Sequence, residues 1–174
     1  MAEQGLGLVQ VYTGDGKGKT TAAIGLAVRA AGHGFRSFVG QFMKGTSYGE
    51  LALEQMSGGL VTFRQLGTDS LVHTISQEDH DLARSGLDIC MEAIHSGQYQ
   101  LVILDEINIA VHMGLLPESD VLSLIRQRAA GVELVLTGRG ATPGILAVAD
   151  LVTEMREVRH PYASGIPARE GIER

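Results

Sequence analysis

The chain has 174 residues, 44% of them hydrophobic and 20% charged, a make-up that fits one domain able to bury a core without disulfides or metals. With 14 Lys+Arg against 20 Asp+Glu the formal net charge is −6, which argues against nucleic acid as a partner because duplex binding needs a basic footprint. The single cysteine, Cys90, rules out an internal disulfide or a multi-cysteine zinc site. No stretch has the length of a membrane span, and residues 1–5 lack a signal-peptide pattern, so a cytoplasmic protein is expected.

In chain order, residues 8–12 read as a short strand that runs into a Gly-rich turn. Residues 20–31 place Ala, Ile, Leu and Val at helical spacing and stop at Gly32 and Gly34. Strands are predicted over 37–42 and 60–65. A long helix over 77–96 follows, with Glu78, Asp79 and Asp81 in an acidic first turn that suits the helix dipole. Cys90 falls in its apolar pattern and reads as a buried, inert thiol. Residues 101–104 are an unbroken apolar strand ending at Asp105, the pattern of a parallel strand buried on both faces. A helix is predicted from Pro117 to Arg128, a strand over 133–137 and a short helix over 145–149. Residues 151–158 alternate apolar and charged, as an edge strand would. The remainder, 160–174, reads as irregular. Strands alternating with helices predict a single α/β domain with a mostly parallel sheet covered on both sides.

Chemistry concentrates at the carboxyl ends of these strands. Gly14, Asp15, Gly16, Lys17, Gly18, Lys19, Thr20 and Thr21 lie between the first strand and the first helix, the setting a phosphate loop requires. Glycines let successive N–H groups converge on one anion, and the helix N-terminus adds donors and partial positive charge. Lys19 supplies a full charge to the phosphates, and the Thr20 hydroxyl can reach Mg2+. The spelling is short: Thr13 stands where the usual pattern has its first Gly. Asp105 and Glu106 end the apolar fourth strand, where an acid holds Mg2+ directly or through water; which of the two is nearer stays open. Arg139, between Gly138 and Gly140 after the fifth strand, could meet phosphate or acceptor as a planar cation. The six histidines show no metal spacing.

These segments together resemble the ATP:corrinoid adenosyltransferases. The run from Tyr12 to Thr21 is similar to their short phosphate loop. Ala22-Ala23-Ile24-Gly25 is similar to the start of their first helix. Gln41-Phe42-Met43-Lys44-Gly45, Val102 to Glu106, Leu136 to Gly140 and the ending Arg159-His160-Pro161-Tyr162 with Gly171-Ile172-Glu173 match the family's remaining segments in order. The resemblance implies a RecA-like P-loop fold. It also implies transfer of the 5′-deoxyadenosyl group of ATP to the cobalt(I) of a corrinoid (cobalamin, cobinamide or cobyrinic acid diamide) with release of triphosphate. It implies Mg2+ near Thr20 and Glu106, Arg139 at the phosphates, and Gln41 and Lys44 facing the adenosine. A reductase supplying electrons and a homodimer are further expectations.

One segment departs from the pattern. Better-known members carry Gly-Phe-x-Trp after the third strand; here Ser70 and Val72 stand roughly at the aromatic positions. The nucleotide half of the site is thus expected to follow the family more closely than the acceptor half. Two other readings of the same phosphate clamp stay open: a P-loop ATPase or phosphotransferase, and a non-catalytic nucleotide-dependent corrinoid-binding protein.

Overall fold

The computed structural model describes residues 5–45, 48–67 and 75–173. Its centre is a six-stranded sheet in the order β3-β2-β4-β5-β1-β6, made of β1 (Val9–Thr13), β2 (Ser37–Phe42), β3 (Val61–Leu66), β4 (Leu101–Asp105), β5 (Glu133–Thr137) and β6 (Leu151–Glu154). Every pairing is parallel. The strands are joined through α1 (Lys19–Gly32), α2 (Leu53–Met56), α3 (Gln77–His95), α4 (Ile107–His112), α5 (Glu118–Gln127) and α6 (Pro143–Ala147).

Side chains alternate across a strand, so each inner strand feeds two cores. Val9, Val11, Val102, Leu104, Leu134 and Leu136 pack on one side with residues of α3, α4, α5 and α6. Val39, Leu101, Ile103 and Val135 pack on the other with Ala23 and Ala27 of α1. All residues of β2, β4 and β5 are buried, which the unbroken apolar run over 101–104 predicts for β4. Helix α3 begins with a reciprocal capping box between Ser76 and Asp79, which satisfies otherwise orphaned N–H groups. Cys90 is fully buried, and burial pushes its thiol far above its ordinary value, so it stays protonated and unreactive.

Three differences from the sequence pattern have physical causes. The alternation over 151–158 predicts a longer edge strand, but β6 stops at Glu154. Its partner β1 ends at Thr13, where the chain turns into the phosphate loop. The next residue, Met155, bonds that loop instead: its carbonyl accepts from Gly16 N at 2.7 Å. The short helices α2 and α4 escape periodicity because each spans at most six residues. The ending, read as irregular, contains one 3-10 turn at Pro161–Ser164.

The strand order matters most for the site. The strand bearing the phosphate loop, β1, and the strand bearing the acids, β4, are separated by β5. The ends of β1, β5, β4 and β2 therefore form one continuous carboxyl edge, where parallel α/β sheets place their ligands. Ser70 and Val72, and His73 beside them, lie outside the described residues.

Candidate active site

A cavity of about 630 Å3 opens above this edge. Gly16, Lys17, Gly18, Lys19, Thr20 and Thr21 form one wall. Lys44, Glu106 and Arg139 face it from β2, β4 and β5, and Tyr48, Glu50 and His160 complete it. Gly171, Ile172 and Glu173 close one side: Lys17 Nζ donates to Ile172 O at 3.1 Å and pairs with Glu173 at 2.8 Å. Gly14 and Asp15, expected at the nucleotide, do not line the cavity; Asp15 is exposed and Gly14 serves the loop itself. Gly14 has φ 92, and a Cβ there would strike the Met155 carbonyl. Only glycine fits that turn.

Lys19 opens α1 and is buried. Its Nζ donates to Gly14 O at 2.7 Å and Gly16 O at 2.8 Å, holding the ammonium inside the arc of the loop. Burial lowers its pKa from the ordinary lysine value, opposed by Glu106 and reinforced by Arg139. Thr20 donates to Asp105 Oδ1 at 2.8 Å. The resemblance points to Glu106 beside Thr20, but the acid in contact with its hydroxyl is Asp105. Thr137, at the end of β5, ties the pair together: its hydroxyl donates to Asp105 Oδ1 at 2.7 Å and accepts from Glu106 N at 2.9 Å.

Lys44 Nζ lies 2.7 Å from Asp105 Oδ2 and 3.5 Å from Glu50 Oε1. Burial alone would lower the Lys44 pKa, but Asp105 and Glu50 carry it above the usual value. Gln41 is fully buried. It sits beneath the floor of the cavity, donating to Glu50 Oε1 at 3.0 Å and approaching Asp105 at 3.5 Å. Arg139 is exposed at the rim and lines the cavity. Its loop starts at Gly138, φ 127, where a Cβ would meet Ile109 N at 2.9 Å; that closeness lets the loop lie on the start of α4. Residues the sequence did not single out are Tyr48, Glu50 and Thr137. Thr137 carried a signal, a hydroxyl ending the strand before a Gly-Arg-Gly loop; Tyr48 and Glu50 carried none.

Among the described residues two other than glycine have positive φ, Met43 at 56 and Glu106 at 64. Both directly follow a strand and line the cavity, the kind of place where backbone strain collects in ligand sites. Burial and the Asp105 carboxylate raise the Glu106 pKa above its ordinary value, against the pull of Lys44, Lys19 and Arg139. An acid that holds its proton more tightly when folded favours the fold on protonation. That benefit is complete below the unfolded pKa of about 4.3 and is lost as pH rises through the folded value. Glu106→Gln is therefore expected to raise the melting temperature of the ligand-free protein at pH 8 by about 2–4 °C per kcal/mol regained. The gap should close toward pH 4. Thermal melts across pH measure this, and a gap that widens on acidification would contradict it.

Among the described residues no three His, Cys, Asp or Glu side chains gather as a metal cage. Asp105 and Thr20 still offer a carboxylate and a hydroxyl oxygen beside the phosphate loop. That donor set fits Mg2+, which takes one or two protein oxygens and completes its shell with phosphates and water.

Comparison with known proteins agrees with this architecture. No helix among the described residues is long and apolar enough to cross a membrane. The flagellar accessory protein FlaH from Methanocaldococcus jannaschii superposes with a TM-score of 0.59 at 12% identity, over 86% of this chain and 71% of that one, a likeness of fold alone. A corrinoid adenosyltransferase of Pseudomonas aeruginosa is 38% identical over 96% of this chain and 83% of its own. Corrinoid adenosyltransferase CobA of Salmonella typhimurium is 37% identical over 99% of this chain and 88% of its own. The model of the family "ATP:corrinoid adenosyltransferase BtuR/CobO/CobP" matches residues 5–174. The phosphate loop, the acid pair and the closing C-terminal segment thus sit in a chain that belongs to the ATP:corrinoid adenosyltransferase family.

Proposed function

We propose that this adenosyltransferase holds ATP with its phosphates on the loop from Gly16 to Thr21 and moves the 5′-deoxyadenosyl group onto the cobalt(I) of a corrinoid. The observation that carries the reading is the convergence of Lys19, Thr20 and Arg139 on one cavity of about 630 Å3, with the buried Asp105 carboxylate directly behind the Thr20 hydroxyl. The cobalt(I) electron pair forms the bond to C5′, the C5′–O bond breaks, and its electrons leave with triphosphate. Cobalt becomes formally cobalt(III). The nucleophile carries no proton, so no general base is required. The protein's task is alignment and stabilisation of charge on the leaving group.

Lys19 and Arg139 supply positive charge on the triphosphate side. Thr20 and Asp105 would hold Mg2+, which neutralises phosphate charge when bound. Glu106 borders the same space, and burial with the neighbouring Asp105 carboxylate raises its pKa above the ordinary value. Lys44 and Tyr48 line the same cavity from the segment after β2, with Lys44 reaching the Asp105 carboxylate that Thr20 also touches. The acceptor is a cobalamin, a cobinamide or a cobyrinic acid diamide, reduced by a partner reductase, and the working unit is a homodimer.

The test is an anaerobic reaction with ATP, Mg2+ and chemically reduced cobalamin or cobinamide. A light-sensitive alkyl-cobalt spectrum with one triphosphate per product is expected. ADP with phosphate instead of triphosphate would sink the reading.

A further inference from the structure

The Asp105 carboxylate is fully subscribed. Oδ1 accepts from the Thr20 and Thr137 hydroxyls, and Oδ2 takes the Lys44 ammonium at 2.7 Å. Gln41 Nε2 stands 3.5 Å behind it. An ammonium seated on this carboxylate weakens its hold on a dication, because two cations would share one anion at near contact. Lys44 thus occupies, with its own charge, the place where a metal would meet Asp105.

The ammonium also has somewhere else to go. Glu50 Oε1 is 3.5 Å from Lys44 Nζ and is steadied from behind by Gln41 Nε2 at 3.0 Å. The Tyr48 ring lies 5.1 Å from the same nitrogen, within the range of a cation–π contact. Lys44, Tyr48 and Glu50 all line the nucleotide cavity. A small rotation about a flexible lysine stem carries the charge from one carboxylate to the other.

We propose that Lys44 is a tethered cation that keeps Asp105 closed to free metal, and that it shifts onto Glu50 when Mg2+ arrives with ATP. The inference rests on the phosphate-site reading above. Without phosphates the cavity sets Lys17, Lys19, Lys44 and Arg139 against Glu50, Glu106 and Glu173, so a free dication finds no surplus of negative charge there. The phosphates of ATP reverse that balance and release Lys44 from its guard position. Metal and nucleotide then enter together, and the metal is not stored in the resting protein.

Mn2+ serves as the probe, its free concentration followed by electron paramagnetic resonance with and without ATP, and the drop that the same ATP causes without protein is subtracted so that only uptake by the protein is counted. Wild type is expected to take up Mn2+ with ATP and hardly at all without it. Lys44→Met should bind Mn2+ alone about tenfold or more tightly than wild type, a typical coupling between sites that share a switch. If Lys44→Met does not fold, Lys44→Gln carries the same expectation, since its amide can still donate to Asp105 without a charge. Equal Mn2+ affinity in wild type and the charge-free variant, without ATP, overturns the guard role and leaves the phosphate site standing. Wild type that takes up no Mn2+ even with ATP overturns the phosphate-site reading itself, and the guard role with it.

Discussion

Lys19→Ala is expected to lower kcat/KM for ATP by about 10²–10³-fold, the usual cost of removing a preorganised charge from a transition state, while the chain remains folded. The ammonium is buried inside the phosphate loop, bonded to Gly14 O and Gly16 O at 2.7 and 2.8 Å. It is therefore placed before any ligand arrives and can turn from two carbonyls to a phosphate without a large search. Triphosphate gathers charge as the C5′–O bond breaks, so the interaction is strongest late in the reaction and the loss should fall on kcat as well as KM. Removal leaves two loop carbonyls without a donor, at about 1–3 kcal/mol of stability if water does not replace it. Burial already disfavours the charge at this position, which offsets part of that loss. Single-turnover kinetics alongside circular dichroism separate the two effects. Turnover near the wild-type rate in a folded variant would end the phosphate-loop mechanism.

Sequence spacing carried the elements well and the contacts between them poorly. The strands over 37–42 and 133–137 coincide with β2 and β5 residue for residue, because short segments with β-branched, aromatic and leucine residues bounded by glycine turns favour strand over helix. The phosphate loop was legible for the same reason: a strand, glycines, Lys19-Thr20 and a helix occur in fixed order along the chain. The acid nearest Thr20 was not legible. Adjacent strand residues point to opposite faces, so only one member of the Asp105–Glu106 pair can face Thr20, and nothing in the spelling says which. That choice is made by the turn at Glu106, φ 64, and by Thr137, which is 32 residues from Asp105 along the chain and is brought alongside because β5 lies next to β4. Lys44 meets Asp105 across 61 residues. Such contacts depend on strand order, which no local pattern encodes. Gln41 shows the same limit. It belongs to a motif that the resemblance places at the nucleotide, yet as a residue of a fully buried strand it acts from underneath, steadying Glu50 and approaching Asp105.

Asp105→Asn tests how far these contacts are coupled, and its two effects should come apart. The substitution keeps the shape but presents an amide to Lys44 Nζ, which then has, among the described residues, Glu50 at 3.5 Å as its paired carboxylate and a weaker pull from Glu106. Breaking a buried ion pair on one side costs about 3–5 kcal/mol, and the presence of Glu50 puts the expectation near the lower end. Adding Lys44→Met removes the stranded ammonium, so the double variant should recover most of that stability, with an interaction energy well above the roughly 0.5 kcal/mol scatter of independent sites. Activity should not recover. The amide oxygen carries no charge and is a weaker Mg2+ ligand beside Thr20 than a carboxylate, so both variants should show a loss of about 10²-fold or more in kcat/KM, eased only partly by excess Mg2+. Urea titrations give the first quantity and metal-dependent kinetics the second. A double variant that regains activity together with stability would mean that Asp105 serves the fold through Lys44 and not the metal, and Glu106 would then become the acid to examine at the phosphates.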